Sequence, residues 1–156
     1  MKLTLVAAGT RMPPWVTAGY KEYAVRMPRE CRLELREVPL GRQRRSGDVT
    51  RAVQEEGRRM LAAIGESDYV VALDVAGKQL DTNDLAGRLG DWMQSGRNVS
   101  LLIGGPDGLA ASCYERSDLR LSLSSLTLPH AIVRVLISEQ LYRAWSILRN
   151  HPYHRE

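Results

Sequence analysis

The chain has 156 residues, 44% of them apolar and 26% charged, with a formal net charge of +4 and a pI near 9.3. That composition fits one folded domain spanning 1–156 and excludes a disordered, collagen-like or disulfide-stapled chain. The only cysteines, Cys31 and Cys113, lack metal or disulfide spacing; no stretch approaches the roughly 20 apolar residues of a membrane span, and the apolar start is too short for a signal-peptide core, so a cytoplasmic protein without a membrane partner is expected.

In chain order, KLTLVAAG alternates and then runs apolar up to Gly9, which predicts a strand. PPWVTAGYKEYAVRM places Trp15, Val16, Tyr20, Tyr23 and Ala24 at helical spacing behind two prolines suited to a helix start. CRLELREV alternates as a half-exposed strand, and GRQRRSGD reads as a polar, flexible loop. Ser46 or Asp48 can cap a helix running to about Gly65. YVVALDV is apolar throughout, as in a strand covered on both faces. DTNDLAGRLGDWMQSG is a helix with Leu85, Leu89 and Trp92 on one side. NVSLLIGG is a second buried strand, GLAASCYERS a short helix, LRLSLSSLTL a strand and loop, and HAIVRVLISEQLYRAWSILRN a long helix. The alternation predicts an α/β fold, a mainly parallel sheet flanked by helices.

The last helix is unusually apolar. Val133, Ile137, Leu141, Ala144 and Leu148 form one stripe, which Ile132, Val135, Leu136, Tyr142 and Trp145 widen beyond an ordinary core-facing stripe. A small domain has few neighbours to cover it, so a second subunit is expected; central burial within one chain is the alternative. Charge is also uneven. Residues 1–60 hold 13 Lys/Arg against 7 Asp/Glu, and residues 61–156 hold 9 against 11. One basic surface facing an anion, nucleic acid or acidic membrane, would explain this, as would plain solvated arginine.

In open α/β sheets ligands sit at the carboxyl ends of strands. Three such ends stand out: ALDVAGK, LIGGPDG and LSSLTLPH. Gly104 and Gly105 let a ligand approach backbone, or simply make a tight turn. GxGxxG opening a helix and GxxxxGK[ST] are both missing, so a site of Gly backbone and Leu side chains suits an apolar or purine-like ligand rather than a phosphate. No metal is expected, because His151 and His154 have no third ligand at metal spacing. Two of the three histidines lie in the last six residues, HPYHRE, an odd composition for a frayed end.

LLIGGPDGL, LSLSSLTLPHAIVRVLISEQLYRAWSI and the terminal NHPYHRE, with MKLTLVAAGTRMPPWV and EYAVRMP earlier, resemble the RlmH family, small bacterial methyltransferases of the SPOUT superfamily. The resemblance spans essentially the whole chain. It implies methyl transfer from S-adenosylmethionine to N3 of a pseudouridine in a 23S rRNA stem-loop, on assembled ribosomes, by a homodimer. It also implies a SPOUT-type fold with a C-terminal trefoil knot; general topology argues against knots, so the knot rests on the resemblance alone.

Carried over by position, the cofactor site includes Leu73, Gly104, Leu123, Ser124, Ser125, Leu126, Thr127 and Leu128. On the acceptor side the tail gains a role. Tyr153 can stack on or hydrogen-bond the uracil, His154 can accept the N3 proton or hold a carbonyl, and Arg155 can pair with phosphate or a developing enolate. His151 caps helix carbonyls at most. His130 either orients the cofactor loop or merely begins the last helix. Arg42, Arg44 and Arg45, the densest basic cluster, are expected to contact RNA phosphates. A non-catalytic ribosome-associated RNA-binding protein is the competing expectation; it would not need both the cofactor loops and the tail.

Overall fold

The computed structural model describes residues 1–155. Its elements are β1 (Lys2–Ala8), α1 (Pro14–Ala24), β2 (Arg32–Val38), α2 (Val49–Ala62), β3 (Tyr69–Gln79), α3 (Thr82–Ser95), β4 (Val99–Ile103), α4 (Ala111–Arg116), β5 (Leu119–Ser122) and α5 (His130–Leu148). Short 3-10 turns cover Arg29–Cys31, Arg42–Ser46 and Pro152–Arg155. The strands pair in the order β2-β1-β4-β3-β5, every pair parallel. Among the described residues, no helix is long and apolar enough to cross a membrane.

A parallel sheet needs helices on both faces, and the strand sequences show why they are apolar throughout. Leu3, Leu5, Leu101 and Val71 pack with α1, α3 and α5. Their neighbours Val6, Ala8, Leu102 and Val70 pack with α2 and α4 on the other face. The edge strand β2 buries Leu33 and Val38 but leaves Arg32, Arg36 and Glu37 exposed, hence its alternating pattern. Helix starts follow local chemistry. The Asp48 carboxylate accepts from the Arg51 amide at 3.2 Å, and Asp81 and Asp84 form a reciprocal capping box at α3.

Two sequence expectations change. GRQRRSGD is ordered as the 3-10 turn Arg42–Ser46 rather than a flexible loop, because Arg44 is drawn into ion pairs. β3 runs beyond the YVVALDV stretch to Gln79, with its register against β5 shifting between Leu73 and Lys78. Helix α5 lies on the sheet beside α1 and α3, with Ile137, Leu141 and Ala144 fully buried. Its own chain therefore covers part of the apolar surface of α5. Ile132 (37%), Leu136 (39%) and Leu148 (41%) stay uncovered, with Trp15 (57%) on neighbouring α1.

The topology prepares a crevice. From β1 the chain leaves through α1 on one face towards β2; from β4 it leaves through α4 on the opposite face towards β5. Loops that diverge from adjacent strands leave an opening at the carboxyl end of the sheet. Buried Arg134 fixes the start of α5 there. Its guanidinium donates to the Gly9 carbonyl at 2.7 Å, the Ala8 carbonyl at 3.3 Å and Glu37 at 2.5 Å.

Candidate active site

Two cavities open at this carboxyl edge and share one residue, His130. The smaller, about 210 Å³, is bounded by the middle of β3, where its register against β5 shifts and where the sequence suggests a strand end, by the β4–α4 loop and by the β5–α5 loop. Of the residues singled out in the sequence, Leu73, Gly104, Leu123, Ser124, Leu126, Thr127 and Leu128 line it. Ser125 is exposed and outside the lining.

The loops hold their shape by themselves. The Gly108 amide donates to the Gly105 carbonyl at 3.1 Å, closing a turn in which Gly108 adopts a φ of 82° that favours glycine. A Cβ on Gly104 would lie 2.6 Å from the Gly108 carbonyl carbon, so the first glycine is needed for the turn to close. Ser122 donates to the Ser124 carbonyl at 2.9 Å, and the Ser124 hydroxyl accepts from the Leu126 amide at 3.0 Å. Leu126, 71% exposed, stands at the rim.

Asp74 and Tyr114 also line this cavity, and sequence reasoning missed both. Asp74 directly follows Leu73 where the apolar run of β3 stops, a signal that was available; Tyr114 comes from α4, where nothing in its local pattern marked it. Burial, then the nearby Asp74 carboxylate, raises the Tyr114 pKa, which keeps the phenol protonated. The walls are leucine side chains and glycine backbone, which suit a flat purine. The carboxylate suits a cationic sulfonium. Cavities for whole ligands usually measure about 300–1,000 Å³, so this one matches the ring portion of an adenosyl group. Among the described residues no cluster of three or more His, Cys, Asp or Glu is arranged to hold a metal.

The larger cavity, about 880 Å³, lies between the segment following β1 and the segment following β2. Arg11, Arg42, Arg44 and Arg45 contribute to its lining, and Asp and Glu are absent from it. Arg42 and Arg45 are exposed. Arg44 is not. Its guanidinium grips Glu56, itself 2% exposed, through contacts of 2.7, 2.9 and 3.1 Å, and it also pairs with Asp107 of the β4–α4 loop. The Gly41 amide donates to the same Glu56 oxygen at 3.1 Å. Arg44 thus joins the basic turn to the glycine loop, with its charge matched by the carboxylates of Glu56 and Asp107.

His130 separates the cavities. Burial, then Arg134 and Arg44, lowers its pKa against an opposing effect of Glu56. The ring is therefore neutral near pH 7, and its buried Nδ1 has no hydrogen-bond partner among the described residues.

The tail lies elsewhere. Tyr153 donates from its hydroxyl to Glu139 at 3.0 Å, and its ring packs against Tyr142 and Tyr23, with Arg143 over its face at 5.0 Å. Burial, and hydrogen bonding to Tyr23 and Glu139, raise its pKa. The His151 amide donates to the Ser146 carbonyl at 2.8 Å, consistent with capping. Tyr153, His154 and Arg155 line neither cavity of their own chain. Glu139 follows His130 by nine residues, about 14 Å along a helix, which accounts for the separation.

An all-parallel sheet with a glycine-edged cavity at its carboxyl edge and a leucine-rich loop leading into the last helix fits a methyltransferase. Residues 1–154 match the family model described as "Predicted SPOUT methyltransferase", and the chain belongs to that family. Two relatives, each 53% identical, carry the name ribosomal RNA large subunit methyltransferase H. The protein from Methylococcus capsulatus aligns over 99% of this chain and 100% of its own length. That from Thioalkalivibrio sulfidiphilus aligns over 100% of both. In fold, the chain is similar to a probable methylase family protein from Haemophilus influenzae, with a TM-score of 0.57 at 15% identity over 95% of this chain and 66% of that one. A putative methylase family protein from Neisseria gonorrhoeae gives 0.56 at 13% identity over 90% and 81%.

Proposed function

We propose that this protein is an S-adenosylmethionine-dependent methyltransferase of large-subunit ribosomal RNA that modifies N3 of a pseudouridine in a 23S rRNA stem-loop on assembled ribosomes. The trefoil knot, the homodimer and the cytoplasmic location belong to the same proposal. The observation that carries it is the meeting of Leu73 of β3, Gly104 after β4 and the 123–128 loop after β5 around one cavity edged by leucine and glycine. The two relatives named for ribosomal RNA methylation match over their whole lengths.

The cofactor supplies a methyl group already activated on a sulfonium. Leu73 and Leu123 would cover the faces of the adenine, backbone of the 104–108 turn would read its edge, and Asp74 would complement the positive charge. On the acceptor, a base would take the N3 proton so that the N3 lone pair could accept the methyl group as the C–S bond electrons pass to sulfur. Alignment of those three atoms supplies much of the rate, and a base near its working pH supplies roughly 10²–10⁴-fold more.

The tail contributes across the dimer. Its own chain docks Tyr153 at Glu139, away from His130, while Ile132 and Leu136 leave an apolar strip on α5 suited to a second copy. In this arrangement the partner's tail brings phenol, imidazole and guanidinium to the uracil. The test is to incubate undermethylated ribosomes with enzyme and labelled cofactor and map the product. One N3-methylpseudouridine is expected. Ribosome binding without methylation would favour the non-catalytic RNA-binding reading.

A further inference from the structure

The basic cavity has features that a merely solvated arginine surface lacks. Its lining contains no carboxylate, and three of its guanidiniums, Arg11, Arg42 and Arg45, are exposed and form no ion pair among the described residues. Arg44, the fourth, is held by Glu56 and Asp107 and stiffens the wall instead. Between the charges lies an apolar strip of Met12, Pro13, Pro39 and Leu40. At the inner end stands His130, whose Nδ1 is buried without a partner among the described residues. Helix α5 begins there at Pro129 with no side chain capping its first-turn amides. Those amides add partial positive charge at that end.

The ligand that matches is polyanionic on its outside and carries a flat, partly apolar ring with polar edges. A free anion would leave the apolar strip without a function, and a lipid surface would not reach the bottom of a cleft of about 880 Å³. We infer that this cleft takes the acceptor nucleotide after it has swung out of its RNA stem-loop, with flanking phosphates on Arg11, Arg42 and Arg45 and the base directed to His130. The inference rests on the proposed RNA methyltransferase activity and adds where the acceptor binds and which residues select it. Extruding a base is least costly where it is already unpaired in a loop, and phosphate contacts and enclosure of the ring offset that cost. Because His130 also lines the cofactor cavity, a base seated against it lies beside the transferring methyl. Arg11, Met12 and Leu40 become acceptor-binding residues, and His130 touches the base.

The test uses full-length dimer, 23S stem-loop RNA and ribosomes. Arg11→Ala should lower the slope of log affinity for RNA against log salt by about 0.7–0.9, the effect of one lost phosphate contact. Arg32→Ala, at the amino end of β2 and therefore at the opposite edge of the sheet, should leave that slope unchanged. Ala131→Trp, which fills the cleft from the first turn of α5, should reduce methylation at least about 100-fold while binding of the demethylated cofactor by calorimetry stays unchanged. The proposal is overturned if Arg11→Ala and Arg32→Ala give the same slope, if Ala131→Trp methylates normally, or if wild-type protein prefers anionic vesicles to the RNA. If the wild-type protein transfers no methyl group at all, the methyltransferase reading fails, and the salt slopes still decide whether the cleft binds RNA.

Discussion

The two cavities at the carboxyl edge differ in what holds them open. The smaller is made of backbone: a glycine turn closed by its own amide, and a serine-stitched loop of leucines. The larger is made of side chains, long arginines around an apolar strip. A backbone site tolerates little, because one added carbon meets a carbonyl at fixed distance. A guanidinium site weakens in steps and with salt, because each contact is separately screened. Arg44 belongs to the second by composition and to the first by function, since it ties the basic turn to the glycine loop.

The comparison breaks most sharply from outside either cavity. Removing residues 152–156 should leave the sheet and α5 intact, because the fully buried apolar residues of that helix, Ile137, Leu141 and Ala144, precede its last turn and the deletion takes only the partly buried Tyr153 from the core cluster. Single-turnover methylation should nevertheless fall by about 10²–10⁴-fold, the contribution of a positioned acid or base. Mixed dimers of tail-deleted and Gly104→Val chains should recover one working site if the tail acts across the interface. A tail-deleted enzyme with normal turnover would confine the chemistry to the two cavities.

Arg44→Ala is expected to act on the backbone side. It leaves Glu56 buried without its cation, and breaking such a pair costs about 3–5 kcal/mol, read as a shift in the chemical denaturation midpoint. The salt slope of RNA binding should change less than it does for Arg42→Ala or Arg45→Ala. The reverse result would return Arg44 to the phosphate contacts.

Gly104→Val tests the rigidity of the smaller cavity. Overpacking of this kind costs about 1–3 kcal/mol, so the circular dichroism spectrum should persist while calorimetric binding of the cofactor is lost. Retained affinity would show that the turn can shift.

The smallest effect concerns His130, where the cavities meet. Its folded pKa is depressed by burial and by Arg134 and Arg44. The unfolded chain therefore binds its proton first, and stability is lost as pH falls below the ordinary value of 6.5 towards the folded one. His130→Gln removes that loss, so its stability advantage or deficit relative to wild type should shift in favour of the variant as pH falls, and stay constant above neutrality. Parallel curves through the acid range would mean that the imidazole is solvated.

Local chemistry determined much of this protein. Two-residue and helical periodicities, the prolines before α1, the aspartates before α2 and α3, and the apolar runs of β3 and β4 are properties of short stretches, so the layered parallel fold was legible in the sequence. The motifs around Gly104 and residues 123–128 marked most of the smaller cavity for the same reason. Contacts between distant residues had no such signal. Arg44 meets Asp107 across 63 positions and Arg134 meets Gly9 across 125; neither pairing can be read from neighbours in the chain, so three adjacent-looking arginines proved to have two different environments. Tyr153 settles on Glu139 because an aromatic group from α1 and α5 assembles there. Only the folded chain brings Arg11, Leu40 and His130 around one opening, because a cleft is bounded by whichever loops the sheet order makes neighbours.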